Sequence, residues 1–405
     1  MRRALNAALL SSGFRPFFLL GAGYGPLVLI FGWLPLWGGF AQGAHAMPPP
    51  ALWHGHELIY GFASAFICGF VLTALPSWAE TPEIKPAPLA LLVSVWICGR
   101  IAAWSYAWLP VLLIGALDLL LFATLAAIML PWLLRVIERR YLALLPILIG
   151  FLVCDAMFYV GVATGAFETA ERALQHALNV VVVLFTLVSG FLTPVFSEAE
   201  RQEHKLGGRP LTFWPPLEIA AIGSAVLFAA ADWTGAPPAV NGGIACIAAL
   251  IHTARLCRWR GFSFLSLPLI FAKHVGYAWL VVAMALRGLA DLFALVPRAA
   301  WIHAFTVGAL GMTMLALASR VTLRHTGRVP KATALTVAAL LVMFAAGLTR
   351  VGASLADGGR AWMLVSAFAW AAAFSLFLVE QGGKLWRPSL PRVKSATAGR
   401  GGLKI

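Results

Sequence analysis

Long apolar runs, broken by short basic stretches, set the pattern of this chain. A helix needs about 20 apolar residues to cross the hydrocarbon core of a bilayer. Runs of that length fall at 17–38, 57–77, 87–108, 110–134, 142–165, 173–196, 216–233, 239–257, 266–287, 299–320, 333–352 and 360–380. They predict an all-α fold, a polytopic transmembrane bundle of about twelve spans. The seventh and eighth runs are the least clean, because Glu218, Asp232 and His252 interrupt them. No connecting stretch exceeds about 20 residues. The expected organisation is therefore a tail over 1–16, one twelve-helix domain over 17–380 and a basic tail over 381–405.

Composition narrows the class further. Of 405 residues 61% are hydrophobic and 11% charged, where a soluble domain carries about 25% charged residues. That excludes a soluble enzyme, a disordered chain and a coiled coil. The excess of Ala, Leu and Val without alternation argues against a transmembrane barrel. The net charge of +14 follows from topology and needs no nucleic acid as partner. With a cytoplasmic N-terminus, twenty-three of the 30 Lys and Arg lie in inside segments and five in outside loops. The excess of basic residues in cytoplasmic loops then puts both termini in the cytoplasm. Met1–Leu10 has a basic start without a small-residue cleavage site and reads as an uncleaved tail. The five cysteines form no CxxC pair and read as lone thiols.

Ionisable residues inside spans cost about 2.5–3.5 kcal/mol each on insertion scales, which makes each a functional candidate. These are Glu57, Arg100, Asp118, Asp155, Lys273, and the histidines His54, His56, His176, His252, His274 and His303. The densest group is Trp53-His54-Gly55-His56-Glu57, after a proline run ending at Pro50 that predicts a helix start. On an ideal helix His54 and His56 are about 200° apart, so both reach one metal only across an irregular turn. The group is not HExxH, which removes the zincin reading. His54, His56, His176 and His303 all stand where their spans enter from the outside, and one shared depth suits an imidazole-binding metal such as copper, haem iron or zinc. Glu57, the catalytic candidate, would serve there either by hydrogen-bonding to the ligands or as proton donor. Arg100, Asp118 and Asp155 fit a haem propionate partner, interhelical ion pairs or a proton relay, and the sequence leaves these open. There is no P-loop, no adjacent histidine pair and no CxxCH, so any haem would be noncovalent.

Several runs match a known pattern. Phe14-Arg15-Pro16-Phe17-Phe18, Trp53-His54-Gly55-His56-Glu57 and Gly69-Phe70-Val71-Leu72-Thr73-Ala74 resemble the opening of the NnrS family. The stretches from His274 to Trp279 and from His303 through Arg320 to His325-Thr326-Gly327-Arg328 resemble its ninth and tenth spans. The resemblance covers nearly the whole chain. It implies a multi-pass protein of the bacterial inner membrane that carries b-type haem and copper, with nitric oxide as ligand or substrate and an electron donor the sequence does not show. By motif match it makes His54, His56, His274, His303 and His325 the leading ligand candidates. Across both lines of reasoning, His54, His56, His274, His303 and Arg100 are candidates for cofactor binding. His54, His56, His176, His303 and His325 are candidates for metal. The chain departs from the pattern at Ser77-Trp78-Ala79 and at Phe191, where the family places Asn-Trp-Thr and an arginine. Two rival readings stand beside this one: a proton-coupled transporter using Asp118, Asp155, Arg100 and Lys273, and a noncatalytic sensor or metal-delivery protein.

Overall fold

The computed structural model describes residues 8–37, 48–78, 80–136, 139–356 and 359–391. Among them are twelve helices long and apolar enough to cross a membrane: α1 (Phe14–Trp33), α2 (Pro50–Ser77), α3 (Pro86–Ala103), α4 (Val111–Leu133), α5 (Tyr141–Ala163), α6 (Phe167–Glu203), α7 (Pro215–Trp233), α8 (Pro238–Arg258), α9 (Pro268–Phe293), α10 (Arg298–His325), α11 (Ala334–Leu355) and α12 (Gly359–Trp386). No strand occurs among the described residues. The chain is a polytopic helical membrane protein, as its apolar pattern predicts. Ala79 and both chain ends lie outside the described residues.

Proline sets many of the helix starts. The second, third, seventh, eighth and ninth spans carry it in the first turn, where the missing N–H costs nothing and the fixed φ suits a helix. Outward-facing positions such as Leu112, Ile149, Leu250 and Leu341 are exposed and apolar, as a lipid-facing surface requires. The helices are not uniform. Val28–Trp33, Glu57–Ala63 and Ala304–Gly311 are wound as π-helix. Such wide turns are uncommon and gather at functional sites.

The chain divides into two compact units, one running to Val180 and including Leu378–Ser389, the other comprising Val181–Phe377 and the chain from Leu390. The first holds α1 to α5, the opening of α6 and the end of α12. Its Arg15 is buried and donates to the carbonyls of Leu385 at 2.9 Å and Arg387 at 2.7 Å and to Ser389 Oγ at 2.6 Å. It thereby satisfies acceptors that the end of α12 leaves open. Phe18 stacks on Phe66, with ring centroids 5.3 Å apart. The second unit holds the rest of α6, α7 to α11 and most of α12, packed around buried Trp301, Phe305, Tyr277 and Met343.

Candidate metal centre

The π-helical turn of α2 starts at Glu57, in the middle of the densest group of candidate residues. A wide turn leaves backbone carbonyls without the usual helical donor, and neighbouring side chains supply donors here. Trp96 Nε1 donates to the Gly61 carbonyl at 3.1 Å, and Ser64 Oγ donates to those of Tyr60 and Gly61. Gly61 itself permits a close approach. A Cβ there would stand 2.4 Å from Tyr24 Cε1 and 3.3 Å from Arg100 Cδ. Only a bare backbone lets Tyr24 and Arg100 lie over this turn and reach Glu57.

His56 is the centre of the arrangement. Its ring lies between Tyr60 and Phe158, with centroids 4.9 and 4.3 Å away and planes within 23° and 21°. The stacking fixes the plane, and the two nitrogens then face acids. Nδ1 is 2.9 Å from Glu57 Oε1, and Nε2 is 2.9 Å from Asp155 Oδ1 and 3.5 Å from Asp118 Oδ2. Arg100 Nη1 donates to both oxygens of Glu57, at 2.8 and 2.7 Å, and Nη2 donates to Asp118. Tyr24 donates its hydroxyl proton to Glu57 and receives one from Trp104 Nε1 at 2.9 Å, while Tyr159 donates to Asp118 Oδ2 at 2.9 Å. Asp155 Oδ2 has no hydrogen-bond partner among the described residues. The group is buried: His56, Glu57, Arg100, Asp118 and Asp155 are all at most 4% exposed.

The charges do not balance. Three carboxylates face one guanidinium, so a neutral His56 leaves two negative charges and a protonated one leaves one. An unpaired buried charge costs several kcal/mol. A neutral imidazole also carries only one N–H, so one ring nitrogen would set its lone pair against a carboxylate. A proton or a metal cation between them removes that repulsion. One donor atom each from His56, Glu57 and Asp118 lie within 4.8 Å of one another. Two ligands at about 2.1 Å from one ion are at most about 4.2 Å apart, so a small closure would complete a site. The chemistry of the donor set fits a first-row divalent ion: imidazole suits zinc, copper and iron, and carboxylate tolerates them.

The remaining sequence candidates lie elsewhere. His54, two residues from His56, is half-buried and packs on Trp33 with centroids 5.0 Å apart, so the two imidazoles have different surroundings. His176 is buried in the first-unit part of α6. His274, His303 and His325 belong to the second unit. His303 Nδ1–H donates to the Ala299 carbonyl at 2.7 Å. His303 and His325 are 22 residues apart on α10, about 33 Å at 1.5 Å per residue, so no single ion takes both. His274 stacks on Phe264, and its Nε2 is 2.9 Å from Ser197 Oγ. Gly261 backs its other edge, where a Cβ would stand 3.0 Å from Nδ1. Ser197 and Gly261 thus stand against its two ring nitrogens, and Nδ1 has no hydrogen-bond partner among the described residues. His252 Nδ1 meets the Tyr277 hydroxyl at 2.7 Å.

Sequence reasoning gave Tyr24 and Tyr159 no role, and it named Asp118 and Asp155 as candidates without joining them to the His54–Glu57 group. A usable signal was present in the heights of these residues along their spans. Glu57 is seven residues from the start of α2 and Asp118 seven from the start of α4; Asp155 is eight from the end of α5 and Arg100 three from the end of α3. In an alternating bundle all four fall near the end away from the basic loops. Phe191, at the place of the expected arginine, stacks on Phe213 with centroids 6.0 Å apart. A guanidinium is nevertheless close by, since Arg255 donates to the Thr186 carbonyl at 3.2 Å and to Tyr277 at 2.9 Å.

No curated protein matches this chain. The family model described as NnrS protein matches residues 8–389, nearly the full length, and the chain belongs to the NnrS family.

Proposed function

We propose that this protein is a membrane metalloprotein of nitric oxide metabolism or nitrosative-stress defence, located in the bacterial inner membrane. It holds a redox-active ion, copper by the family resemblance, at one ring nitrogen of His56 with Glu57 and Asp118, the three residues whose donor atoms lie within 4.8 Å of one another, and with Asp155 beside them. The observation that carries this reading is the placement of carboxylates against both nitrogens of one buried imidazole, with a single arginine to balance three acids. A divalent ion with a neutral His56 brings the group to zero net charge. Such an ion would supply an electrophilic, one-electron-active centre that binds nitric oxide, a small neutral molecule that reaches it through lipid.

The chain's own residues would do the rest. Tyr60 and Phe158 hold the imidazole plane, Arg100 fixes Glu57 and Asp118 relative to each other, and the Tyr24 and Tyr159 hydroxyls point the same two carboxylates. Partners of this kind orient ligands and tune their basicity. Asp155, whose Oδ2 has no hydrogen-bond partner among the described residues, can carry a proton at the site. If nitric oxide is turned over, two molecules take two electrons and two protons to give nitrous oxide and water, with a one-electron carrier of the membrane as donor. Haem b stays part of the proposal on the family resemblance alone. The His274 surroundings do not fit it as they stand, and no step is assigned to it.

The test is metal analysis and electron paramagnetic resonance of the protein purified in detergent from cells supplied with copper and iron. Bound copper whose spectrum changes with nitric oxide supports the reading, and an optical spectrum of the same sample reports haem. Nitric oxide consumption by membranes with a reductant then separates turnover from sensing or protection. Protein free of both metals would sink the proposal.

A further inference from the structure

The second unit buries a lysine among an aromatic ring and a second cation. Lys273, in the second turn of α9, is 1% exposed, and its Nζ has no hydrogen-bond partner among the described residues. It lies 4.4 Å from the ring centroid of Phe196 on α6, and the Arg320 guanidinium from α10 lies 4.7 Å from the same ring. Two cations thus share one aromatic ring.

The carboxylates in reach are taken. Glu200 accepts from Arg320 and meets His204 Nε2 at 3.2 Å, and Glu203 pairs with Arg324 at 4.0 Å. Glu198 accepts from Arg201 at 2.6 and 2.8 Å, from Gln202 at 2.8 Å and from the Leu211 amide at 3.0 Å. Lys273, Arg320 and Glu200 together carry one net positive charge. Neutral Lys273 would not resolve the problem, since an uncharged amine in the same place still leaves its N–H groups and lone pair unmet, and unmet buried polar groups destabilise a fold. Thr193, one turn before Phe196 on the same face of α6, is fully buried, and its hydroxyl is also without a partner among the described residues.

The geometry points to a binding site for a small monovalent oxyanion at Lys273 and Arg320, with Thr193 on its α6 side. Such an anion gives the ammonium an acceptor and brings the local charge to zero. It is distinct from the His56 cluster, involves none of its residues and stands whether or not that cluster binds metal.

The test follows thermal unfolding of the purified full-length protein by tryptophan fluorescence during titration with sodium nitrate and, separately, sodium formate. Sodium sulfate at matched ionic strength is the control. The expected result is a saturable rise in unfolding temperature with nitrate or formate. It should be lost in Lys273→Met, which keeps the length and removes the charge, and kept in Lys273→Arg. Lys273→Met should unfold no lower than wild type in anion-free buffer, because it removes an unmatched buried charge. Three outcomes would overturn the site: no saturable response in wild type, which would leave water as the partner of Lys273; a response that follows ionic strength alone; or one that survives Lys273→Met.

Discussion

Arg100 holds Glu57 through a single nitrogen, Nη1, which lies 2.8 and 2.7 Å from the two carboxylate oxygens, and its other terminal nitrogen goes to Asp118. One guanidinium from α3 thus joins α2 to α4 below the surface. Removing it leaves three buried carboxylates with no fixed cation. Arg100→Gln should destabilise the protein by about 3–5 kcal/mol, the range for breaking a buried pair from one side. Arg100→Lys should rescue little, because an ammonium cannot span both acids with a planar fork. Thermal unfolding in detergent checks this, and a variant within 1 kcal/mol of wild type would show that the cluster is not held by Arg100.

Close packing over the π-helical turn gives a second prediction. Gly61→Ala puts a methyl carbon 2.4 Å from Tyr24, and relief must come from moving Tyr24 or the helix. Overpacking of this kind costs about 1–3 kcal/mol. Gly243→Ala on α8 is the control, because nothing lies within 4 Å of its added carbon. It should be neutral or slightly stabilising, since alanine is the better helix former. Equal effects of the two changes would refute the close approach.

The hydroxyls of Tyr24 and Tyr159 are single-atom handles on the site. Tyr24→Phe and Tyr159→Phe keep the rings and remove one donor each from Glu57 and Asp118. Each should cost about 1.5–3 kcal/mol, as for hydrogen bonds to charged groups. Each should also weaken metal binding about 10–100-fold, as outer-shell changes do. A competition titration with a chelator of known affinity measures the second effect. Unchanged affinity with lowered stability would make these hydroxyls structural only.

Much of this was legible in the sequence, for identifiable reasons. The twelve spans follow from run length alone, and the proline before Trp53 marks the start of α2 correctly because its ring suits only a first turn there. His56, Glu57 and Arg100 stood out as polar residues in apolar runs. The pairing of Arg100 with Asp118, and of His56 with Asp155, was not legible, because periodicity gives a residue's face and height on its own helix but not which helix stands opposite. The different surroundings of His54 and His56 agree with the 200° between them on an ideal helix. The π-helical turn carries no residue pattern that separates it from ordinary helix, so the close approach at Gly61 could be read only from the structure.

Arg15 gives a prediction away from the cluster. Its guanidinium holds the carbonyls of Leu385 and Arg387, and Arg15→Ala should free the end of α12. Limited proteolysis should then cut near Arg387 faster than in wild type. An unchanged cleavage pattern would show that other contacts suffice to hold this end.

His56 and the acids around it are proposed to hold a metal ion. The most direct measurement compares bound copper and iron per chain in wild type, His56→Gln and His252→Gln, purified side by side from metal-supplied cells. Bound copper is expected in wild type and in His252→Gln, whose histidine is engaged with Tyr277, and is expected to be lost in folded His56→Gln, with any haem iron unchanged. Full retention of copper in His56→Gln, or copper-free wild type, would overturn the site.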